Sequence, residues 1–366
     1  MKEGQDLRLG WMPENRVEKS TVSSAKVKSR GEVSLLQPGD TIGDYVLTEK
    51  IGQGSFGMVF EGHASKSIKK VAIKVEINPD SRYSQLENEY ATYMELKGVP
   101  GFPRVEYFGE CGGHTYLVME HLGMSLEDML ALRNRRFCTK TIFIVVKRMI
   151  DLIEKIHSIG KVHRDLKPDN FLVGRDPKKL FLIDLGMAKE FVRQGQHVPS
   201  SSGRRLTGTP RYASVNAHKG LELSRRDDLE SIGYIMIYLA KGKLPWQGIK
   251  ETPREKCRLI GEQKRSIRVE KLVKDLPGSE QMEEYFQYVR ALSFDTTPNY
   301  QYLKDLFDRA LASNSLSDDG VFEWEYVFKG ATEDMVNDSL DGDHAKKKGL
   351  LARIKRFLGR CFTQCK

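Results

Sequence analysis

The period of the apolar residues changes once along the chain, and this change constrains the fold more than any other feature. Between residues 44 and 122 the apolar residues form strand-like runs at 45–51, 58–62, 70–77, 105–109 and 115–119, with one helical stretch at 86–96. From residue 125 onwards the spacing is helical, as in 141–157, 227–240, 282–291 and 300–311. The pattern predicts a bilobal α+β fold with a β-rich N-lobe at about 44–122 and a helical C-lobe at about 123–312.

Charge separates further segments from these two lobes. The 366 residues have a formal net charge of +9, distributed as +2 over residues 1–39, +7 over 40–312, −8 over 313–343 and +8 over 344–366. Blocks of like charge are typical of solvated tails. We therefore predict a flexible arm at 1–39, a folded domain at 40–312, an acidic extension at 313–343 and a basic tail at 344–366.

Several classes of protein are disfavoured by the sequence. There is no run of 18 or more apolar residues, and the N-terminal residues lack an apolar core, so neither a membrane-spanning helix nor a secretory signal is predicted. The five cysteines include no CxxC pair and fit neither a disulfide framework nor a zinc site. We expect the chain to lie on the cytosolic side of the membrane, in a reducing compartment.

A glycine-rich segment joins the first two strand-like runs. Gly52, Gly54 and Gly57 form a GxGxxGxV pattern with Val59. Because glycine has no Cβ, its backbone can approach phosphate oxygens closely, although a tight turn explains these residues equally well. The glycines lead into a second strand and not into a helix, which disfavours a dinucleotide site of the Rossmann type, and no GxxxxGK[ST] run is present.

Two further segments contain the groups that phosphoryl transfer requires. Lys74 lies in an apolar strand, and Glu89 on the following helix is its candidate partner. An HRDxxxxN pattern at 163–170 precedes a DxG pattern that begins at Asp184. Phosphoryl transfer needs metal ions on the phosphates, a carboxylate that orients the hydroxyl and cations that neutralise charge. Each of these roles has a candidate residue in the sequence.

In this combination and order, the segments resemble the protein kinase family over about residues 44–312. The resemblance implies that Asp165 orients the substrate hydroxyl, that Lys167 contacts the γ-phosphate of ATP, and that Asn170 and Asp184 bind Mg²⁺. It also implies a hinge at 119–122, where the backbone meets adenine. The implied ATP-binding residues are Ile51, Gly52, Gly54, Ser55, Gly57, Val59, Ala72, Lys74, Glu89, Met119, Glu120 and Leu122.

Longer segments resemble the casein kinase I family within the kinases. They lie at 119–128, 164–171, 206–216, 224–231 and 244–248, and Ser214-Val215-Asn216 replaces the usual APE triplet. Vaccinia-related kinases are the runner-up. The resemblance implies a serine/threonine kinase that acts on acidic or already phosphorylated proteins, and a catalytically dead scaffold at a membrane is the alternative. Nucleic acid is not an expected partner. Leu185 and Pro210 depart from the family, which commonly has Phe and Ala there.

A densely cationic region follows the DxG segment, where peptide substrates of kinases bind. It contains Arg204, Arg205, Arg211, Lys219, Arg225, Arg226, Lys250, Arg254 and Lys256. Clustered Arg and Lys suit phosphate or carboxylate groups, and the family resemblance implies an anion site at Arg211, Gly248 and Lys256. A solvated basic face or a network of ion pairs is the alternative, and Arg225 and Arg226 in particular could be structural.

The basic tail has the pattern of an amphipathic helix. Apolar residues at 350, 351, 354, 357, 358, 361, 362 and 365 share one face, and this face includes Cys361 and Cys365. Such a helix suits an anionic membrane surface, and we hypothesise that both thiols are palmitoylated. The tail and the segments 89–93 and 135–137 resemble the fungal membrane-anchored branch of casein kinase I. The alternatives are a helix that binds the kinase domain or a partner such as calmodulin, or a nuclear signal, which would place the protein in the cytoplasm or nucleus.

Overall fold

The computed structural model describes residues 35–54, 57–77 and 84–325, and within them the N-lobe is an antiparallel sheet of six strands. The strands are β1 (Thr41–Ile42), β2 (Tyr45–Gly54), β3 (Gly57–Ala64), β4 (Lys70–Ile77), β5 (Val105–Cys111) and β6 (His114–Glu120). Their order across the sheet is β1-β2-β3-β4-β6-β5. Helix α1 (Gln85–Glu95) contacts this sheet and the turn at residues 185–187.

The two-residue period of β3 and β4 gives the sheet one face for the N-lobe core and one face for the cleft. Met58 and Phe60 pack in the core with Ile73 of β4. The residues between them on each strand, which include Val59, Ala72 and Lys74, line the cleft between the lobes. This alternation follows from the strand geometry, since successive side chains point to opposite sides of a sheet.

The C-lobe is built around two helices that are buried along most of their length. These are α3 (Thr139–Ser158) and α5 (Arg225–Lys241). The other helices are α2 (Leu126–Leu132), α4 (Val215–His218), α6 (Pro253–Ser266), α7 (Val269–Val273), α8 (Ser279–Ala291) and α9 (Tyr300–Ser313). Six short strands flank the catalytic loop (residues 163–170) or lie in or beside the activation segment (residues 184–216). They are β7 (Lys161–Val162), β8 (Phe171–Val173), β9 (Leu180–Leu182), β10 (Lys189–Glu190), β11 (Val192–Arg193) and β12 (Gln196–His197).

Every strand and helix that the sequence predicted is present, and the observed ends differ from the predicted ones by at most three residues. Local signals explain this agreement. For example, Ser125 and Asp128 form a capping box at the start of α2, and Asp227 accepts the backbone N–H of Ser224 at 2.8 Å at the start of α5. The bilobal α+β fold is confirmed.

The folded domain extends beyond both predicted boundaries. Leu36 packs in the N-lobe core, although the arm was predicted to reach residue 39. Phe322 and Trp324 are each only 1% exposed, and Trp324 donates its indole N–H to the carbonyl of Pro177 at 3.0 Å. The C-lobe therefore continues past residue 312, at least to residue 325. The boundary at 312 was placed at the end of the last helical pattern and the start of the acidic block, and the buried residues Phe322 and Trp324 lie beyond both.

Three of the four acidic residues of this added segment pair with basic side chains of the C-lobe. Asp318 accepts from Lys147 of α3 at 2.9 Å, and Asp319 accepts from Lys140 at 2.6 Å. The negative charge of residues 313–325 thus belongs to the packed lobe. The remainder of the predicted arm and extension, together with the basic tail and its two cysteines, lies outside the described residues. None of the described helices is long and apolar enough to cross a membrane.

Candidate active site

A cleft of about 470 Å³ lies between the two lobes, lined by β2, β3, β4, the hinge after β6 and the catalytic loop. The predicted ATP-binding residues that line it are Ile51, Gly52, Gly54, Gly57, Val59, Ala72, Lys74, Glu89, Met119, Glu120 and Leu122. Ser55 lies outside the described residues. Leu172 of β8 and Ile183 also line the cleft, and sequence reasoning missed both because nothing in their own segments separates them from core residues.

The glycines of the β2–β3 hairpin have two different physical roles. A Cβ on Gly57 would lie 2.0 Å from the carbonyl oxygen of Val75, so only glycine lets β3 approach β4 at this point. A Cβ on Gly54 would meet nothing within 4 Å. Gly54 therefore leaves the backbone N–H groups of the cleft wall uncovered by a side chain, as a phosphate-binding loop requires. Gly57 is also needed for the close approach of β3 and β4.

Lys74 is bound to two carboxylates at once. Its Nζ lies 2.5 Å from Oε2 of Glu89 and 2.8 Å from Oδ1 of Asp184. Burial alone would lower the pKa of Lys74, but the two carboxylates raise it well above its usual value. The side chain is therefore an ammonium at neutral pH, and it links β4, α1 and the DxG turn inside the cleft.

The DxG turn has the strained backbone expected of a functional turn. Asp184 has a φ of +65°, in the left-handed region, and its backbone N–H donates to the hydroxyl of Tyr93 at 3.2 Å. Asn88 of α1 donates to the carbonyl of Gly186 at 3.1 Å. Leu185, which replaces the usual Phe, is fully buried in the core. The substitution keeps the turn packed in place, as expected for an apolar exchange.

The catalytic loop places Asp165 between Lys167 and a residue of the activation segment. Oδ2 of Asp165 lies 3.0 Å from Nζ of Lys167. Oδ1 accepts from both the backbone N–H and the hydroxyl of Thr209, at 2.7 and 2.8 Å. Asn170 donates its side-chain amide to the backbone carbonyl of Asp165 at 2.9 Å. Sequence reasoning did not find Thr209, which lies 44 residues from Asp165.

Asp228 of α5 binds the backbone of the catalytic loop. It is buried, and its carboxylate accepts the backbone N–H groups of His163 at 2.7 Å and Arg164 at 2.9 Å. His157 lies 3.0 Å from the same carboxylate. Burial would raise the pKa of Asp228, but the hydrogen bonds from His157 and from the backbone of Arg164 lower it, so the group is ionised. Sequence reasoning gave Asp228 no role, although it lies in the segment 224–231 on which the family resemblance rests.

Asn170 and Asp184 both line the cleft and fit the binding of Mg²⁺. The amide nitrogen of Asn170 is used by Asp165, which leaves the amide oxygen as a ligand. Magnesium is bound by few protein ligands when phosphate oxygens complete its coordination. Within the described ranges there is no group of three or more His, Cys, Asp or Glu side chains arranged for a metal. Mg²⁺ would therefore be held by these two residues together with the nucleotide.

Arg211 of the predicted anion site lies in residues 206–216, which we call the substrate segment, and the structure does not join it to Gly248 or Lys256 by direct contact. The Arg211 guanidinium is partly buried over the rings of Tyr212 and Tyr238, with its Cζ atom 5.7 and 5.6 Å from the ring centroids. Gly248 and Lys256 are exposed. No hydrogen bond or ion pair in the described part of the chain connects the three, so this site stays a prediction.

Several other cations of the basic region have structural partners. Arg204 and Lys189 both pair with Glu222, at 2.9 and 2.6 Å. Arg226 donates to the carbonyl of Leu292 at 2.7 Å. Arg225 donates to the carbonyl of Asp295 and lies over the ring of Phe191. Arg204, Arg225 and Arg226 thus each have a partner within the C-lobe, as the alternative of a structural role predicts.

Comparisons with known proteins identify the domain that contains this cleft. Residues 45–315 match the model of the protein kinase domain. Casein kinase I homolog 2 of Schizosaccharomyces pombe is 42% identical over 293 residues, which cover 78% of this chain and 67% of that protein. Casein kinase I homolog 1 of the same organism is also 42% identical, over 294 residues that cover 78% of this chain and 65% of that protein.

The fold, the cleft and the matched domain define the chain as a protein kinase. Within that class it belongs to the casein kinase I family, as the identity to the two yeast proteins shows. The aligned part spans about two thirds of the length of these relatives.

Proposed function

We propose that this chain is an active serine/threonine kinase that transfers the γ-phosphate of ATP, with Mg²⁺, to protein substrates. The observation that carries the proposal is Lys74, which contacts Glu89 and Asp184 simultaneously. A kinase needs the ammonium, its helical partner and the metal-binding aspartate in place together. This arrangement favours the enzyme over a catalytically dead scaffold at a membrane.

In this mechanism the catalytic loop supplies the groups that act at the γ-phosphate. Asp165 accepts or orients the proton of the substrate hydroxyl, and Lys167, 3.0 Å from it, neutralises charge on the transferred group. Mg²⁺ neutralises the phosphates when it is bound. The contact of Thr209 with Asp165 holds the carboxylate beside the segment where the substrate binds.

The test of activity is transfer of labelled phosphate from ATP to casein and to a phosphoserine-containing serine peptide. The Asp165→Asn variant keeps the size of the side chain and removes its charge, so it is the matched control. We expect transfer by the wild type to exceed that of the variant by at least about 10³-fold. A folded wild type with no more transfer than Asp165→Asn would support the scaffold.

We further propose that substrates carry acidic or phosphorylated residues near the target serine or threonine. A guanidinium and an exposed ammonium suit such groups, and Arg211 lies two residues from Thr209, which contacts the catalytic aspartate. Peptide-library profiling of Arg211→Ala and Lys256→Ala tests this proposal. We expect both to lose the preference for acidic and phosphorylated peptides, and an unchanged library profile would contradict it.

The basic tail, we propose, binds the cytoplasmic face of a membrane through its charge and through palmitate on Cys361 and Cys365. The support is the sequence pattern of apolar and basic residues. Cell fractionation of the wild type and of a Cys361→Ser, Cys365→Ser variant tests the lipid. Membrane association that does not change in the variant would exclude palmitoylation as the anchor.

A further inference from the structure

Lys264 of α6 is a fully buried cation that the proposed mechanism does not use. Its exposed fraction is 0%, and within the described residues it forms no ion pair: the carboxylate of Glu230, whose charge raises the pKa of Lys264, is paired with Arg290 at 3.3 Å. Its Nζ instead donates to two backbone carbonyls, those of Pro210 at 2.8 Å and Ala213 at 2.5 Å. Both carbonyls belong to the substrate segment, one on each side of Arg211.

Aromatic rings complete the surroundings of this ammonium. Nζ lies 4.5 Å from the centroid of the Tyr234 ring and 5.0 Å from that of Trp246. Ring faces attract cations, but they replace only part of the lost hydration, and burial lowers the pKa of Lys264 well below its usual value. Burying a lysine without an ion-pair partner destabilises the folded state. If stability were the only requirement, an apolar residue would be preferred at this position. The two carbonyls are the groups that require a donor here.

Other donors act on the same segment. The indole N–H of Trp246 donates to the carbonyl of Arg211 at 2.8 Å, and Nε2 of His218 lies 3.1 Å from the carbonyl of Pro210. Two residues before Arg211 in the chain, Thr209 donates to Asp165 of the catalytic loop. The backbone of Arg211 is thus fixed between the catalytic aspartate and the buried lysine, and the orientation of its side chain depends on both.

We propose that Lys264 is a positioning residue for the substrate: it sets the backbone that carries Arg211 and so determines affinity for phosphorylated protein substrates. This inference rests on the function proposed above. Lys264 is not among the residues that line the nucleotide cleft, so its removal alters the protein substrate site and leaves the ATP site intact.

The test is steady-state kinetics of Lys264→Met, which keeps the length and apolar volume of the side chain and removes the donor. We expect KM for a phosphoserine-containing serine peptide to rise at least about tenfold, because the two buried hydrogen bonds that hold the substrate segment are lost. KM for ATP should stay within about twofold. Lys264→Arg, which retains charge and donors, should restore part of the peptide affinity. Arg265→Met changes an exposed cation one residue away and is the matched control.

A second variant covers the case in which Lys264→Met does not fold. Trp246→Phe keeps a ring face and removes the donor to Arg211, so it should raise the peptide KM in the same direction. An unchanged peptide KM in both variants, or an equal rise in KM for ATP, would overturn the proposal. If the wild type transfers no phosphate, the proposed function fails, and binding of the same peptide by fluorescence anisotropy then decides the positioning role separately.

Discussion

Lys74 has two carboxylate partners because the cleft gathers three segments that lie far apart in the sequence. Glu89 is 15 residues away on α1, and Asp184 is 110 residues away at the DxG turn. Glu89 is almost fully buried, and burial raises its pKa while Lys74 opposes that rise. A single ammonium therefore stabilises two charges that would otherwise repel each other at this site.

We predict that Lys74→Met lowers kcat/KM for ATP by about 10²–10³-fold, since it removes a preorganised cation from the phosphate site. Initial rates at varied ATP concentration measure the effect, and circular dichroism establishes that the variant is folded. Lys69→Met changes an exposed lysine just before β4 and should leave the rate unchanged. Activity of Lys74→Met within threefold of the wild type would contradict the role of this residue.

The short helix α4 and helix α6 together anchor the substrate segment. Ser214 caps α4 and donates to Asp227 of α5 at 2.7 Å, while His218 at the end of α4 packs against Gly261 of α6. A Cβ on Gly261 would lie 2.8 Å from Cβ of His218, so the two helices approach each other as closely as a glycine allows. This contact brings the imidazole of His218 near the side chain of Lys264.

Burial and, secondarily, the charge of Lys264 lower the pKa of His218 to about 4. In the unfolded chain its pKa is about 6.5. The unfolded state therefore binds a proton at higher pH than the folded state does, and the folded state loses stability as the pH falls from about 6.5 to about 4. The loss is at most about 3 kcal/mol, and solvent at this partly buried site reduces it.

We predict that His218→Gln, which keeps an N–H donor for the carbonyl of Pro210, removes this part of the acid sensitivity. Urea unfolding of both proteins at pH 7, 5.5 and 4.5 measures the effect. The difference in unfolding free energy should change across this range in favour of the variant. Two parallel pH profiles would show that His218 does not contribute.

At the scale of the whole molecule, residues 313–325 pack against the C-lobe, although the charge pattern assigned them to an acidic extension. Phe322 and Trp324 stack on each other with ring centroids 4.4 Å apart, and Trp324 also contacts Phe137. Lys147 joins this segment to α3 and α9 through Asp318 and Asp308. The segment thus contributes both apolar burial and ion pairs to the lobe.

We predict that a chain ending at residue 312 melts at a distinctly lower temperature than one ending at residue 325. Trp324→Ala should lower the free energy of unfolding by about 3–5 kcal/mol, because it leaves a large buried cavity. Asp319→Ala in the same segment should cost less than about 1 kcal/mol, since its ion pair is at the surface. Equal melting temperatures for the two truncated chains would show that residues 313–325 are dispensable.

The sequence by itself predicted five strands of the N-lobe sheet, five of the described helices, the family and the candidate catalytic residues. These features are local: the apolar period reports each element, and residues 163–170 and 184–186 contain Asp165, Lys167, Asn170 and Asp184 within short segments. Only the tertiary structure decided that Thr209 binds Asp165, that Arg225 and Arg226 are structural, and that the C-lobe extends at least to residue 325. Lys264, 51 residues from Ala213, belongs with them. The physical reason is that each of these contacts joins residues far apart in the chain, and their proximity depends on how the whole core packs.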